Sequence, residues 1–433
     1  MYRSIKLNIL ISVVLIFTQA CNPVKDVVNK DESSTINTAE EIKPFSDLAT
    51  KGGAGGEVIK VTNLNLSGKG SLKAALESDF PRIIVFEVGG VIDLQMTNLT
   101  ISNPNVTVAG YTAPFPGITL IKGGLIITTH DVIIKHLKIR PGDAGQEVAS
   151  GWEPDGITIY GENAHHILID HCSITWAVDE NLSMSGNRFL GVGHTSRNVV
   201  LSNNIIAEAL SVSSHAKGEH SKGTLILDNS QNVLITGNLY AQNKDRNPFF
   251  KANTTGVIVN NLIVNPGSAA IRAGYPISEW EGVDMVLDNP TLDVIGNVLF
   301  AGSATGNKFY LLKGDAYAYG QDNILQGDGF NLFEFSPEII RNDEQFFNIN
   351  GLLVIPANDV IDEIVLDVGA FPALRDEIDE RVVKEAVNNS GSIINSQSEV
   401  GGYPNFKPQF RQLDVPAVNV ETWLSNIEKN VLR

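Results

Sequence analysis

Short β-branched runs recur through the middle of this chain, and they leave few folds open to it. Residues 105–109, 132–139, 167–174, 199–206, 233–240, 257–264 and 294–300 share one format: alternating β-branched residues, a polar break, then another apolar pair. Aligning the breaks puts His136, His171, Asn204, Asn238, Asn261 and Asn297 in one column, roughly 23 to 36 residues apart. That period suits a three-strand coil with loops of varied length. At the bend between strands one residue must take a left-handed backbone, which Asn tolerates well, and stacked Asn side chains can form an amide ladder. Helical repeats are the rival at this period, but runs such as Val257-Ile258-Val259 do not follow a 3.6-residue pattern. Asn-Gly hairpin signals are too sparse for a β-sandwich. The expectation is an all-β, right-handed parallel β-helix.

The ends read differently. Arg3 and Lys6 precede an apolar run over 9–17, and Thr18-Gln19-Ala20-Cys21 resembles a bacterial lipobox. Residues 1–21 are therefore expected to be a lipoprotein signal with Cys21 acylated, and 22–45 a polar tether. This places the protein outside the cytoplasm, in the periplasm or at the cell surface, touching a membrane only through its lipid and acting as a monomer. Once Cys21 is used only Cys172 remains, so the mature chain has no internal disulfide; Cys172 reads as a small core residue. Ser71 ahead of 72–77 marks a short helix capping the solenoid's open N-terminal end. Residues 46–358 are assigned to the β-helix. Residues 359–433, with helical stretches at 361–387 and 420–431, are assigned to a covering segment.

A net charge of −17 argues against nucleic acid as partner. It is equally ill-suited to an anionic polymer unless a local cation cluster or bound divalent metal offsets it. Asp155, Asp179 and Glu180 flank predicted strands one coil apart. Coils stack about 4.8 Å apart, so acids at equivalent corners can share calcium, which takes several carboxylate and carbonyl oxygens. Asp143 reads equally as a solvated turn. In the following coils come Lys217, Lys222 and Arg246, cations in an otherwise acidic protein.

Three segments, Gly52-Gly53-Ala54-Gly55-Gly56, Asp170-His171 and Arg246-Asn247-Pro248, resemble hallmarks of the polysaccharide lyase family that contains pectate lyases. The resemblance covers roughly residues 45 to 300. It implies a calcium-dependent β-helix enzyme acting on an anionic pectic polysaccharide, polygalacturonate, by β-elimination. It gives Arg246 the role of base, Lys222 that of supporting lysine with Lys217 in reserve, and Asp155 and Asp179 those of calcium ligands. Calcium and cationic side chains on the substrate carboxylate would stabilise the enolate-like transition state. Two departures stand out. Lys251 stands where many members have a second arginine, keeping charge for substrate binding but losing the bidentate fork. Ser183 stands where many have an acid; either Glu180 compensates or the calcium site is weaker and completed by substrate. Trp176 is open between core packing and sugar contact, while Asp170, His171, His215 and His220 read as structural or loop residues. The competing readings are a calcium-independent pectin lyase, a polygalacturonase working with clustered aspartates, and a non-catalytic solenoid that captures glycan.

Overall fold

The computed structural model describes residues 48–432; the lipoprotein signal, Cys21 and the tether expected from the sequence lie outside them. Three strand runs alternate along the chain and collect into three sheets of eleven, nine and ten strands among the described residues. Apart from the antiparallel pair of Gln409–Phe410 with Val88–Asp93, neighbouring strands are parallel. The result is a right-handed parallel β-helix. One coil shows the plan. His165–Asp170 lies in the eleven-stranded sheet, Ser173–Thr175 in the ten-stranded sheet and Glu180–Ser185 in the nine-stranded sheet. The next coil stacks on it in register, with Ile167 beside Val199, Ser173 beside Ile205 and Leu182 beside Thr224.

Strand alternation turns Ile167, Ile169, Ile174, Leu182 and Met184 inward, where all are fully buried with Cys172 in one core. At the N-terminal end, helix Leu72–Leu76 packs into that core, and the Ser71 hydroxyl accepts from the Ala74 N–H.

The corner column differs from expectation by one residue in part of its length. His136 and His171 do hold left-handed corners (φ 57° and 49°), and their rings stack with centroids 5.0 Å apart. In later coils the left-handed position belongs to Asn203, Gly237, Asn260 and Gly296, each one residue before the aligned asparagine, and the pattern continues at Asp322 before Asn323. The two tasks are therefore separate. One residue bends the chain; the next turns its amide inward. The Asn204 amide donates to Ile169 O and to Asn238 Oδ1, Asn238 repeats this toward Leu201 O and Asn261, and Asn261 toward Ile235 O and Asn297. The ladder runs on from Asn297 to Asn323, and at its other end the Cys172 N–H donates to Asn204 Oδ1.

The C-terminal segment packs along the solenoid. Helices Val360–Asp367 and Glu377–Asn388 set Val360, Ile364, Val382 and Val383 against Ile205, Leu239 and Leu262 of the ten-stranded sheet. Helix Val420–Glu428 covers Ile83, Val85 and Tyr111. Between sheet and cover lies a buried charge cluster. Arg140 meets Asp376 at 3.0 Å and Asp379 at 2.7 Å, Lys138 meets Asp376 at 2.8 Å, and Ser173 donates to Asp379. Truncating one partner leaves an uncompensated charge in the interior. Asp379→Ala should therefore cost about 3–5 kcal/mol, read from the shift of the denaturant midpoint; an unchanged midpoint would show that the cluster does not hold the cover.

His171 stands between Asp170 (2.9 Å) and Asp367 of the cover (3.2 Å). Burial opposes its charge, but the bonds to Asp170 and Asp367 outweigh this and raise it to about 9. A raised histidine stabilises the fold fully below its ordinary value near 6.5 and loses that contribution as pH climbs through about 9. His171→Asn, which keeps a residue tolerant of the left-handed corner, should be less stable than the parent at pH 6, with the gap closing toward pH 10 in parallel denaturation series. A gap independent of pH would remove the charge from the account.

Candidate active site

The outward face of the nine-stranded sheet gathers most of the residues singled out in the sequence. Ile157 pairs with Leu182, so Asp155 lies beside Glu180; Glu180 pairs with Lys222, and Lys222 bridges to Asp245, next to Arg246. Residues roughly 90 positions apart in sequence thus form one row across four coils because stacking repeats each corner at the coil spacing. Gly223 lets the backbone come this close: a Cβ there would collide with Arg246 O and the Asn247 side chain. Behind the row, Asn181, Asn243 and Asn247 form a second buried amide chain, in which Asn181 donates to Asn243 Oδ1 and Asn243 to Asn247 Oδ1. It anchors the corner from which Arg246 projects.

Asp155, Asp179 and Glu180 each bring a carboxylate oxygen within 4.8 Å of the others. Burial, and then the charge of Asp179, raises the Asp155 carboxyl, although Ser183 and Thr158 donate to it. Burial also works against the charge on Asp179, but the bond with His220 and the proximity of His215 and of the Arg246 guanidinium hold it below its ordinary value. Arg246 pairs with Glu180. Burial is the largest influence on Arg246 and weakens its hold on its proton; Arg272 adds to this, while Asp179 and Asp155 oppose it. Lys222 lies 3.4 Å from Asp245, which also pairs with Arg272 at 2.8 Å. Three clustered carboxylate oxygens, on one buried and two half-buried residues, suit a hard divalent cation, whose charge would relieve the crowding of Asp155 against Asp179.

His215 and His220, read from the sequence as loop residues, belong to this cluster. Their rings stack 4.0 Å apart, with His220 Nε2 at 2.6 Å and His215 Nε2 at 3.5 Å from Asp179. Two imidazoles and a carboxylate could suggest a transition-metal site, but the Lys217 backbone N–H donates to His215 Nδ1. That bond leaves the ring proton on Nε2, directed at Asp179 and Glu153. His215 thus turns a ring N–H, not a lone pair, toward Asp179, and is not a ligand. Their position between Ser214 and Lys222 was the available signal, since that stretch leads directly into the Lys222 strand.

Four residues fall elsewhere than expected. Trp176 makes no sugar contact: it is fully buried, donating to Glu208 and packing beside Arg140 and Tyr403, because its side chain turns under the C-terminal cover. Lys217 is exposed on the loop, while Lys222 is the lysine in the row. Lys251 is buried and held by Glu279 at 2.5 Å and Asp228 at 3.6 Å, so it does not stand open to a ligand. Asp143 joins the cover, accepting from Ser396 and Gln397. Arg272 was not anticipated. It pairs with Phe249 across the sheet and lies over that ring at 4.8 Å, with Arg246 at 5.8 Å. From there a cleft of about 350 Å³, lined by Asp245, Phe249, Arg272, Tyr275 and Lys313, continues along the sheet.

No family model matches the chain. Among curated proteins it is similar to the probable pectate lyase C of Emericella nidulans, 30% identical over 365 residues that span 81% of this chain and 76% of that protein. The probable pectate lyase C of Aspergillus flavus is likewise 30% identical over 365 residues, 81% of this chain and 78% of that one. Among solved structures, the cedar pollen major allergen Jun a 1 matches with a TM-score of 0.52 and 17% identity, covering 74% of this chain and 90% of that one, which supports the shared fold. The β-helix and these relatives place the chain among the polysaccharide lyases, a class of enzymes. Within that class it belongs to the pectate lyase family.

Proposed function

We propose that this enzyme cleaves polygalacturonate by calcium-assisted β-elimination. The observation that carries the proposal is the juxtaposition of three clustered carboxylates, Glu180 buried and Asp155 and Asp179 half-buried, with Arg246 and Lys222 on one outward sheet face. Asp155, Asp179 and Glu180 are the residues that would hold calcium, with His215 and His220 orienting Asp179. Calcium bound there supplies positive charge against the substrate carboxylate and the anion that grows on it. Lys222 adds a second cation to the same carboxylate.

Arg246 is the assigned base. Guanidinium ordinarily keeps its proton, but burial and Arg272 both weaken that hold here. In the reaction the C–H bond α to the carboxylate breaks toward Arg246. Its electron pair forms the new double bond, the glycosidic C–O bond β to the carboxylate breaks, and the departing sugar oxygen takes a proton from water. A polygalacturonase would need paired acids in the acid and base roles; the arginine and lysine in this row favour elimination. We also infer that residues 1–21 are a lipoprotein signal acylated at Cys21 and 22–45 a tether, which sets a monomeric enzyme in the periplasm or at the cell surface.

The direct test is ultraviolet absorbance of unsaturated product from polygalacturonate with calcium and then with chelator. New reducing ends without unsaturation would mean hydrolysis, and binding without either would mean a capture module. Arg246→Ala should lower kcat by about 10²–10⁴ with melting unchanged; near-parental turnover in a folded variant removes Arg246 as base. Asp179→Asn should raise the calcium needed for half-maximal rate, and weaken calcium binding measured directly by calorimetry, on the order of tenfold. An unmoved calcium curve places the metal elsewhere.

A further inference from the structure

Across the sheet from the acids lies a second charged cluster that the proposed reaction does not use. Asp228 is fully buried and accepts from the Ala252 N–H, fixing it to the corner backbone. Arg188 meets Asp228 at 2.8 Å and Glu279 at 2.6 Å, and Lys251 meets Glu279 at 2.5 Å. The Arg188 guanidinium lies over Phe189 at 4.9 Å and Trp280 at 5.2 Å. Two cations therefore face two carboxylates, and the cluster sums to zero charge. Glu279 is its most solvent-exposed charged member, with 35% of its side chain accessible against 18% for Arg188 and 6% for Lys251. Beside it, Phe189, Leu190 and Ile277 are exposed.

This cluster borders the groove. Phe250 points into the core, so strand alternation turns Phe249 and Lys251 outward on the same side. Phe249 carries Arg246 and Arg272 over its ring, and Glu279 is close enough to influence the charge of Arg246. A sugar bound beside the reacting residue would meet this wall. Left to themselves, Lys251 and Arg188 would make a seat for a carboxylate. Glu279 already fills that seat and presents negative charge to anything arriving, next to an exposed aromatic surface.

Building on the function proposed above, we infer that Glu279 is a specificity-determining residue: the subsite over Phe189, Lys251 and Arg188 takes an uncharged, methyl-esterified galacturonate, while the row from Asp155 to Arg246 takes a free acid. The substrate class is then a partly esterified pectic chain. An esterified sugar escapes repulsion by Glu279 and sets its methyl group against the apolar wall; a free acid must displace Glu279 from both cations.

The experiment compares initial rates of unsaturated product, with calcium, on unesterified polygalacturonate and on randomly methyl-esterified pectin. Glu279→Gln should raise the ratio of kcat/KM for polygalacturonate over pectin about three- to tenfold, mainly through KM, and Glu279→Asp should return it toward the parental value. Phe189→Ala, at an exposed position, should lose rate selectively on pectin. An unmoved ratio in Glu279→Gln with both polymers still cleaved, or an equal loss on both polymers in Phe189→Ala, overturns the assignment. Parental enzyme that releases no unsaturated product from either polymer instead overturns the elimination reading on which it rests.

Discussion

A buried row of amides sets the register on which everything else in this protein depends. Each ladder asparagine binds a backbone carbonyl of the preceding turn of the solenoid and the side chain of the next turn, so a slip of one coil would strand several buried polar groups at once. Parallel pairing alone tolerates such slips poorly specified at the corners, since the outward residues change while backbone bonds can re-form. The ladder removes that freedom. Because the corners are locked, Asp155, Glu180, Lys222 and Arg246 need no local motif to find one another; they meet because each stands at an equivalent place in its coil.

The solenoid was legible because its signal is repeated. Any one of the runs around Val132, Val199 or Val257 is ambiguous, but together they define a period and a break. The break itself was read one residue out of step, since His136 and His171 combine the bend with a stacked ring, whereas Asn203 and Asn204 divide bending and bonding between them. Side chains on the strand corners, such as Asp155 and Arg246, could be placed near one another from their position in the repeat, while the role given to Arg246 came from the family resemblance. Trp176 could not: its burial depends on Tyr403 and on Ile378 and Ile394 of a cover that folds back from more than 200 residues away. Glu279 was equally invisible, lying in a loop without periodicity, and its importance comes only from the cations it meets.

The electrostatics of the groove resolve an apparent conflict in composition. A chain with a charge of −17 can still receive an anion if its acids are local and spoken for. Asp245 and Asp228 are committed to cations, Glu180 to Arg246, and Asp155 to donors from Ser183 and Thr158. Ser183 places a hydroxyl where a further acid would have crowded this cluster, so the three remaining carboxylates are held close with less mutual repulsion. The histidine pair adds orientation to Asp179 without adding another negative charge.

The buried ions beneath the C-terminal cover also impose an order of events on synthesis. Lys138 and Arg140 leave the ribosome well over 200 residues ahead of Asp376 and Asp379, the carboxylates that satisfy them. A solenoid could otherwise wind turn by turn as it emerges, each rung resting on the last. Here an early rung exposes two cations to water until almost the whole polypeptide has been made, and only then does the late segment close over them. The molecule is linear in its winding and circular in its completion.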